Sequence, residues 1–274
     1  MRIGVDIGGT YVRMGIVDGG EILKKISEPF MAKTSEKESI GQIKSMLRRI
    51  MNSNIRGIGI GSPSVVNVEK GIIYNAINIP SWKEVHLKKM LEDEFRIPVH
   101  INNDSNCFAF GERYYGEGTA YRNIVCIILS TGLGAGIIID DKLYGGHNNG
   151  AGEIGCLSYK EHSYEHYCSS HFFSDEHNTT VEQSYTDALK GDKEALKLWE
   201  EFGNHLGHLI HTVLYTYDPE AIIFGGELTN AANLFSDKML EVVQKFPFQE
   251  TVQKLKISYS TKEDIRLLGA AAFV

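Results

Sequence analysis

The sequence predicts a two-lobed α/β protein with a cleft between the lobes, on three observations. The chain has 274 residues, more than one ordinary domain and suited to two lobes of roughly 100–150 residues each. Two β-meanders, one at the N-terminus and one beginning near Asn123, share an order of strand, Gly-rich turn, strand, acidic turn, strand, with Asp18 and Asp140 at equivalent points. Between and after them run segments whose apolar residues recur at helical spacing.

In the first meander, 2–7 form a strand, Gly8-Gly9 turn the chain, 11–17 return, Asp18-Gly19-Gly20 turn again and 21–26 form a third strand. A helix follows. Its start carries a capping box, Ser35 with Glu38 three residues on, and Ile40, Ile43, Leu47 and Ile50 mark its apolar stripe. A strand over 55–60 ends at Gly61-Ser62-Pro63, an amphipathic helix is expected over 82–95, and a short strand over 99–101 follows Pro98. The second meander places strands at 124–129 and 135–139 around Ser130-Thr131-Gly132-Leu133-Gly134, continuing at Leu143-Tyr144. A long helix over 195–217 is stopped by Asp218-Pro219. A strand over 221–224, a helix over 234–246, a strand over 255–259 and a final helix from Ile265 complete the chain. The division expected is a first lobe over 1–115, a second over 116–264, and a C-terminal helix over 265–274 that packs near the first lobe.

Composition narrows the classes. No apolar run reaches the ~18 residues of a membrane span, and the N-terminus has no signal-peptide pattern, so a cytoplasmic protein is expected. The four cysteines, Cys107, Cys126, Cys156 and Cys168, are scattered without a C-x-x-C pair and read as reduced thiols. A formal net charge of −7 argues against a general nucleic-acid binder. It leaves nucleotide binding open, because Gly-rich loops hold phosphate through backbone amides and Mg²⁺.

Five segments carry candidate chemistry. In Asp6-Ile7-Gly8-Gly9-Thr10, the glycines let backbone amides approach an anion, the Thr10 hydroxyl adds a donor, and ionised Asp6 would hold Mg²⁺ or a metal-bound water. An ordinary hairpin turn explains the segment equally well. Ser130-Thr131-Gly132-Leu133-Gly134-Ala135-Gly136 precedes a strand rather than a helix, which disfavours a dinucleotide fingerprint, and no Walker A lysine occurs. Two Gly-rich hairpins, one per lobe, could instead close on one phosphate chain. Asn102-Asn103-Asp104-Ser105-Asn106 could cap a helix through Asp104 or Ser105, or present Asp104 as a base for a hydroxyl attacking phosphorus, with Asn103 and Asn106 as supporting amides. Glu153, in Gly150-Ala151-Gly152-Glu153-Ile154-Gly155, suits bidentate bonds to vicinal hydroxyls, or is a solvated loop residue. Gly225-Gly226, after an apolar strand, would let a nucleoside lie against backbone, or mark a close strand-to-helix turn.

In this order and spacing the segments resemble the ROK family of sugar kinases and repressors, from Arg2 to Leu268-Gly269-Ala270-Ala271-Ala272. The resemblance implies an actin-like ATPase (ribonuclease H-like) fold and phosphoryl transfer from ATP, with Mg²⁺, to a hexose-like sugar, glucose first. By the same resemblance, Asp6, Gly8, Gly9 and Thr10 form one phosphate loop and Ser130, Thr131, Gly132 and Gly134 the other. Gly225 and Gly226 take the nucleoside side, Asp104 is the catalytic base, and Asn78, Asn103, Asp104 and Glu153 contact the sugar. A homodimer is the family expectation.

Two departures stand out. Members usually have His where Cys156 stands, followed by C-x-C-G-x-x-G-C-x-E, which supplies three zinc thiolates and a sugar-binding Glu. Here Cys168 stands as the last cysteine and Ser170 replaces that Glu. A thiolate-rich site cannot be assembled from this, and no structural zinc is expected; His162, His166 and His171 with Cys156 and Cys168 read as surface histidines rather than an improvised site. A non-catalytic sugar-sensing protein or regulator is the alternative. Repressor members carry a helix-turn-helix before the first phosphate loop, whereas this chain starts its hairpin at once, so no nucleic-acid partner is expected.

Overall fold

The computed structural model describes residues 1–63, 65–76 and 78–274. Strands β1 (Arg2–Ile7), β2 (Tyr11–Asp18) and β3 (Glu21–Pro29) form the first meander, and α1 (Glu36–Ile50) follows. The capping box at its start is made in full: Ser35 accepts from the Glu38 amide, and the Glu38 carboxylate accepts from the Ser35 amide. After β4 (Ile58–Ser62) a small three-stranded sheet, β5 (Val65–Asn67), β6 (Ile72–Tyr74) and β7 (Glu84–Val85), leads to α2 (Leu87–Phe95), β8 (Val99–Asn103) and α3 (Asp104–Tyr115). The second half runs β9 (Ile124–Leu129), β10 (Leu133–Ile139), β11 (Lys142–Leu143), the hairpin β12 (Ser158–Tyr159) and β13 (His162–Ser163), and α4 (Tyr164–Cys168). Then come α5 (Val181–Leu189), α6 (Lys193–Tyr217), β14 (Ala221–Gly225), α7 (Ala232–Val243), α8 (Gln249–Lys254), β15 (Lys256–Tyr259) and α9 (Ile265–Ala272).

The two large sheets share one topology. In the order β3-β2-β1-β4-β8, the first two pairings are antiparallel and the last two parallel; β11-β10-β9-β14-β15 repeats this pairing by pairing. The duplication read from the meanders therefore extends through five strands of each half. In each half the last strand runs into a helix, β8 into α3 and β15 into α9. These two helices pack on each other, and each reaches across: α9 lies on β1 and β4, α3 on β9 and β10.

Strand β9 shows how one apolar run serves two cores. Val125, Ile127 and Leu129 pack with α6, α7 and the aromatic cluster around Trp199 and Phe235, while Ile124, Cys126 and Ile128 pack with Phe108, Ile265 and Leu268 between the halves. Side chains alternate across a strand, so six consecutive apolar residues are what a strand buried on both faces requires.

Several bounds shift, two of them in the first half with a clear cause. The helix expected from 82 begins at Leu87, because Trp82 is wholly buried in a turn and donates from Nε1 to Ser39 Oγ at 2.9 Å. The amides of Asn75 and Ala76 donate to the carbonyls of Lys83 and Trp82, so this backbone is committed to a ladder. The strand expected over 55–60 runs over Ile58–Ser62, since Gly61 and Ser62 pair with Asn102 and Asn103.

The α9 crossing depends on missing side chains. A Cβ at Gly59 of β4 would overlap the Ala270 carbonyl oxygen of α9, and one at Gly4 of β1 the Leu267 carbonyl. Gly59→Ala is therefore expected to destabilise by about 3 kcal/mol, the upper end for overpacking, because backbone rather than a flexible tip must move. Gly41→Ala, on an exposed turn of α1 with open space around it, should stabilise by about 0.5–1 kcal/mol. Urea unfolding of both variants checks the pair.

Candidate active site

The first Gly-rich loop closes where β1 meets β2, the Gly8 amide donating to the Tyr11 carbonyl at 2.9 Å. Gly9 backs onto Asn78, whose Cβ would lie 2.9 Å from a Cβ added there. This puts Asn78 beside the loop. Asp6, two residues before Gly8, is buried, and its Oδ2 meets two cations: Arg13 Nη1 at 3.3 Å and Arg266 Nη2 at 3.1 Å.

The second loop is braced from behind. The Ser130 amide donates to the Gly132 carbonyl at 3.0 Å, the Ser170 amide to the Ser130 carbonyl at 3.0 Å, and the Leu133 amide to Glu165 Oε2 at 2.9 Å. Gly134 faces the Ser105 hydroxyl so closely that a Cβ would overlap it, which sets β10 against the start of α3.

Asp104 is the first residue of α3. The capping expectation is corrected here: Asn103 is the N-cap, accepting from the Ser105 amide at 2.8 Å, and neither Asp104 nor Ser105 takes that position. Asp104 Oδ1 also accepts from that amide, at 2.9 Å, leaving Oδ2 toward Arg266 Nη1 at 3.9 Å. Behind it Asn102 Oδ1 accepts from the Asn103 amide, Asn106 Nδ2 and Asn149 Nδ2 at 2.8, 2.9 and 3.1 Å. The Asn102 and Asn106 side chains are thus engaged in holding the strand-to-helix junction.

One cavity of about 630 Å³ is lined by Asp6, Arg13, Ser130, Gly225, Gly226 and Arg266. It brings together the residue that heads the first loop, the start of the second loop and the Gly225-Gly226 turn, where Gly226 has φ +92°. Asp104 joins it through the shared guanidinium of Arg266. Glu153 is exposed and is not among the residues that line this cavity; partial removal from water and then the Glu165 charge raise its pKa.

Three of these residues escaped the sequence reading: Arg13, Arg266 and Glu165. Arg266 had a signal, being the one charge in Ile265-Arg266-Leu267-Leu268-Gly269-Ala270-Ala271-Ala272. Glu165 had none, since it reaches the loop from a different element. The five candidates do not form one group: Cys168 is buried in the core and Cys156 exposed, His171 pairs with Asp175 at 3.1 Å, and His162 and His166 turn together to Glu176.

The electrostatics single out Asp104. Its carboxyl is pushed up to about 6, chiefly by removal from water; the Arg266 charge opposes this and the Asp6 charge adds to it. A carboxyl raised above its ordinary 3.8 holds its proton more tightly in the folded chain. Its contribution to stability is present in full below about pH 4 and is lost as pH rises through about 6. Arg266→Gln removes the opposing charge and should raise the Asp104 value above about 6, read by ¹³C-carboxyl NMR titration with Asp104→Asn assigning the resonance.

The comparisons with known proteins agree with this architecture. The ROK family model matches residues 2–274. A glucokinase of Streptomyces coelicolor is 30% identical over 272 residues, covering 86% of this chain and 85% of its own. A xylose repressor of Caldicellulosiruptor bescii is 26% identical over 99% of this chain and 77% of its own. Among solved structures, a ROK family glucokinase from Streptomyces griseus in complex with glucose and AMPPNP superposes with a TM-score of 0.83 at 24% identity, covering 100% of this chain and 98% of that one. With a match over the whole described fold and a doubled five-stranded topology, the chain belongs to the ROK family.

Proposed function

We propose that this protein is a cytoplasmic ATP-dependent sugar kinase that phosphorylates a hydroxyl of a hexose-like sugar. The observation that carries the reading is one cavity lined by Asp6 from the first Gly-rich segment, Ser130 from the second and the Gly225-Gly226 turn, with Asp104 at the start of α3 linked to it through Arg266. The relatives named glucokinases support it, and glucose is the first substrate to test.

In this reading the residues take the roles that the family resemblance implies. The adenosine end lies along Gly225-Gly226 and the phosphates run between Gly8-Gly9-Thr10 and Ser130-Thr131-Gly132-Gly134, whose amides need no lysine to hold them. Asp6 is one buried carboxylate beside the phosphate path, which fits Mg²⁺, an ion that takes one or two carboxylates and fills its remaining positions with phosphate oxygens and water. Asp6 would hold that ion, which would supply positive charge against the phosphates during transfer. Arg13 and Arg266, both on Asp6 here, stand where phosphate oxygens would compete for them. Asn78, Asn103 and Glu153 hold the sugar. Asp104 takes the proton of the attacking hydroxyl as its oxygen bonds to the γ-phosphorus; the bond to the β–γ bridging oxygen breaks and ADP leaves. Glu165, whose charge raises the Glu153 pKa, keeps a second carboxylate in this region although its Oε2 is engaged by the Leu133 amide.

The second reading, a sugar-sensing regulator, is favoured by the likeness to xylose repressors. It predicts ATP or sugar binding without turnover, and a mobility shift on operator-like DNA.

Sugar-dependent ADP release across glucose, fructose, mannose, allose and N-acetylhexosamines should be seen with at least one sugar; its absence with all of them would favour the regulator. Asp104→Asn should lower kcat by about 10²–10⁴-fold with ATP affinity kept. The base works ionised, so kcat/KM should rise with pH through about 6 and level off above it. Activity that climbs as pH falls below 6 would remove Asp104 from the role.

A further inference from the structure

The segment that links the Glu153 loop to α5 is built from short pieces: the β12–β13 hairpin, five-residue α4 and a π-helical turn, Phe172–Glu176. Its inward side is aromatic core, with Tyr164, Tyr167, Phe172 and Phe173 buried around Cys168. Its outward side brings together three donors from three elements: His162 of β13, His166 of α4 and Glu176 at the end of the π turn. Among the described residues this is the one such group of three. Isolated π turns recur at functional sites, and here the wide turn carries Glu176 back to the two imidazoles.

The spacing suits a metal. His166 Nε2 lies 2.5 Å and His162 Nε2 3.9 Å from Glu176 Oε1, and the three donor atoms all fall within 4.8 Å of one another. The two imidazole rings sit 4.1 Å apart, tilted by 30°. Zinc holds nitrogen and oxygen donors at about 2.0–2.2 Å, which puts tetrahedral donors roughly 3.3 Å apart. Small rotations of His162, half exposed, and of Glu176 close the difference. We propose that His162, His166 and Glu176 form a binding site for a zinc-type divalent cation, its fourth position open to water. Two imidazoles and one carboxylate favour such an ion over Mg²⁺ or Ca²⁺, which take all-oxygen sets.

The charges nearby are mixed: Lys160, 5.1 Å from the Tyr167 ring centre, works against a cation, while Glu161, bonded by the Tyr167 hydroxyl at 3.3 Å, and Asp175 favour one. Neither cysteine joins the group, so the donor set is wholly imidazole and carboxylate. The consequence for the fold is a clip across three short elements, fixing the stretch from which Glu165 and Ser170 brace the second Gly-rich loop. The proposal stands whether or not the protein is a kinase.

The full chain, stripped with a chelator and dialysed, is titrated with Co²⁺ and Zn²⁺. One equivalent of Co²⁺ should give visible d–d absorption that Zn²⁺ abolishes, and Zn²⁺ at about a hundredfold excess over Kd should raise Tm by roughly 5 °C or more. His162→Ala and Glu176→Gln, both at partly exposed positions that should leave the fold intact by far-UV circular dichroism, should each weaken binding at least about tenfold and remove the Tm shift. His171→Ala should change neither. No Co²⁺ absorption and no Tm shift in the unmodified chain, or equal binding in all three variants, would overturn the site and leave His166–Glu176 an ordinary ion pair.

Discussion

One guanidinium between two carboxylates organises the cleft. Arg266 meets Asp6 at 3.1 Å and Asp104 at 3.9 Å, one residue at the head of the first Gly-rich loop and the other at the start of α3. Two acids facing a shared, poorly hydrated space repel each other, and an unpaired one would be driven to its neutral form. Arg266 opposes that drive. It can do so only because α9 lies in backbone contact with β1 and β4, which the absence of side chains at Gly4 and Gly59 permits. The cleft's charge balance is therefore set by a helix that follows the last strand of the other half.

The same exchange explains why the site is stiff where chemistry would need it. Asp104 rides on α3, which packs on β9 and β10 of the second half, while its N-terminal junction is tied by the Asn102 amide network. The second Gly-rich loop, in turn, leans on Glu165 and Ser170 from the aromatic-cored segment beyond β11. Positioning of this kind costs ordering entropy at folding rather than at the moment of reaction.

How much of this was legible differs by residue. The Gly8-Gly9 hairpin, the Ser35–Glu38 box and the apolar β9 run are local patterns, and each is found where its spacing implied. The 82–95 stretch misled because its helical periodicity is real only from Leu87. Trp82 satisfies the same pattern, yet its indole nitrogen finds Ser39, 43 positions away, and that contact holds the backbone in a turn. The cap on α3 was similarly ambiguous among adjacent polar residues, all of which can accept an amide; backbone geometry assigned it to Asn103.

By itself the sequence determined the doubled α/β plan and the Gly-rich turns, because backbone turns and amphipathic periods are written within a few residues of where they act. Tertiary structure decided that Arg266 and Arg13 share Asp6, that Glu165 braces the second loop and raises the Glu153 pKa by its charge, and that His162 and His166 turn to Glu176 instead of a cysteine. These depend on side chains brought together from elements far apart in the chain, and no local period records which charges will meet across a cleft.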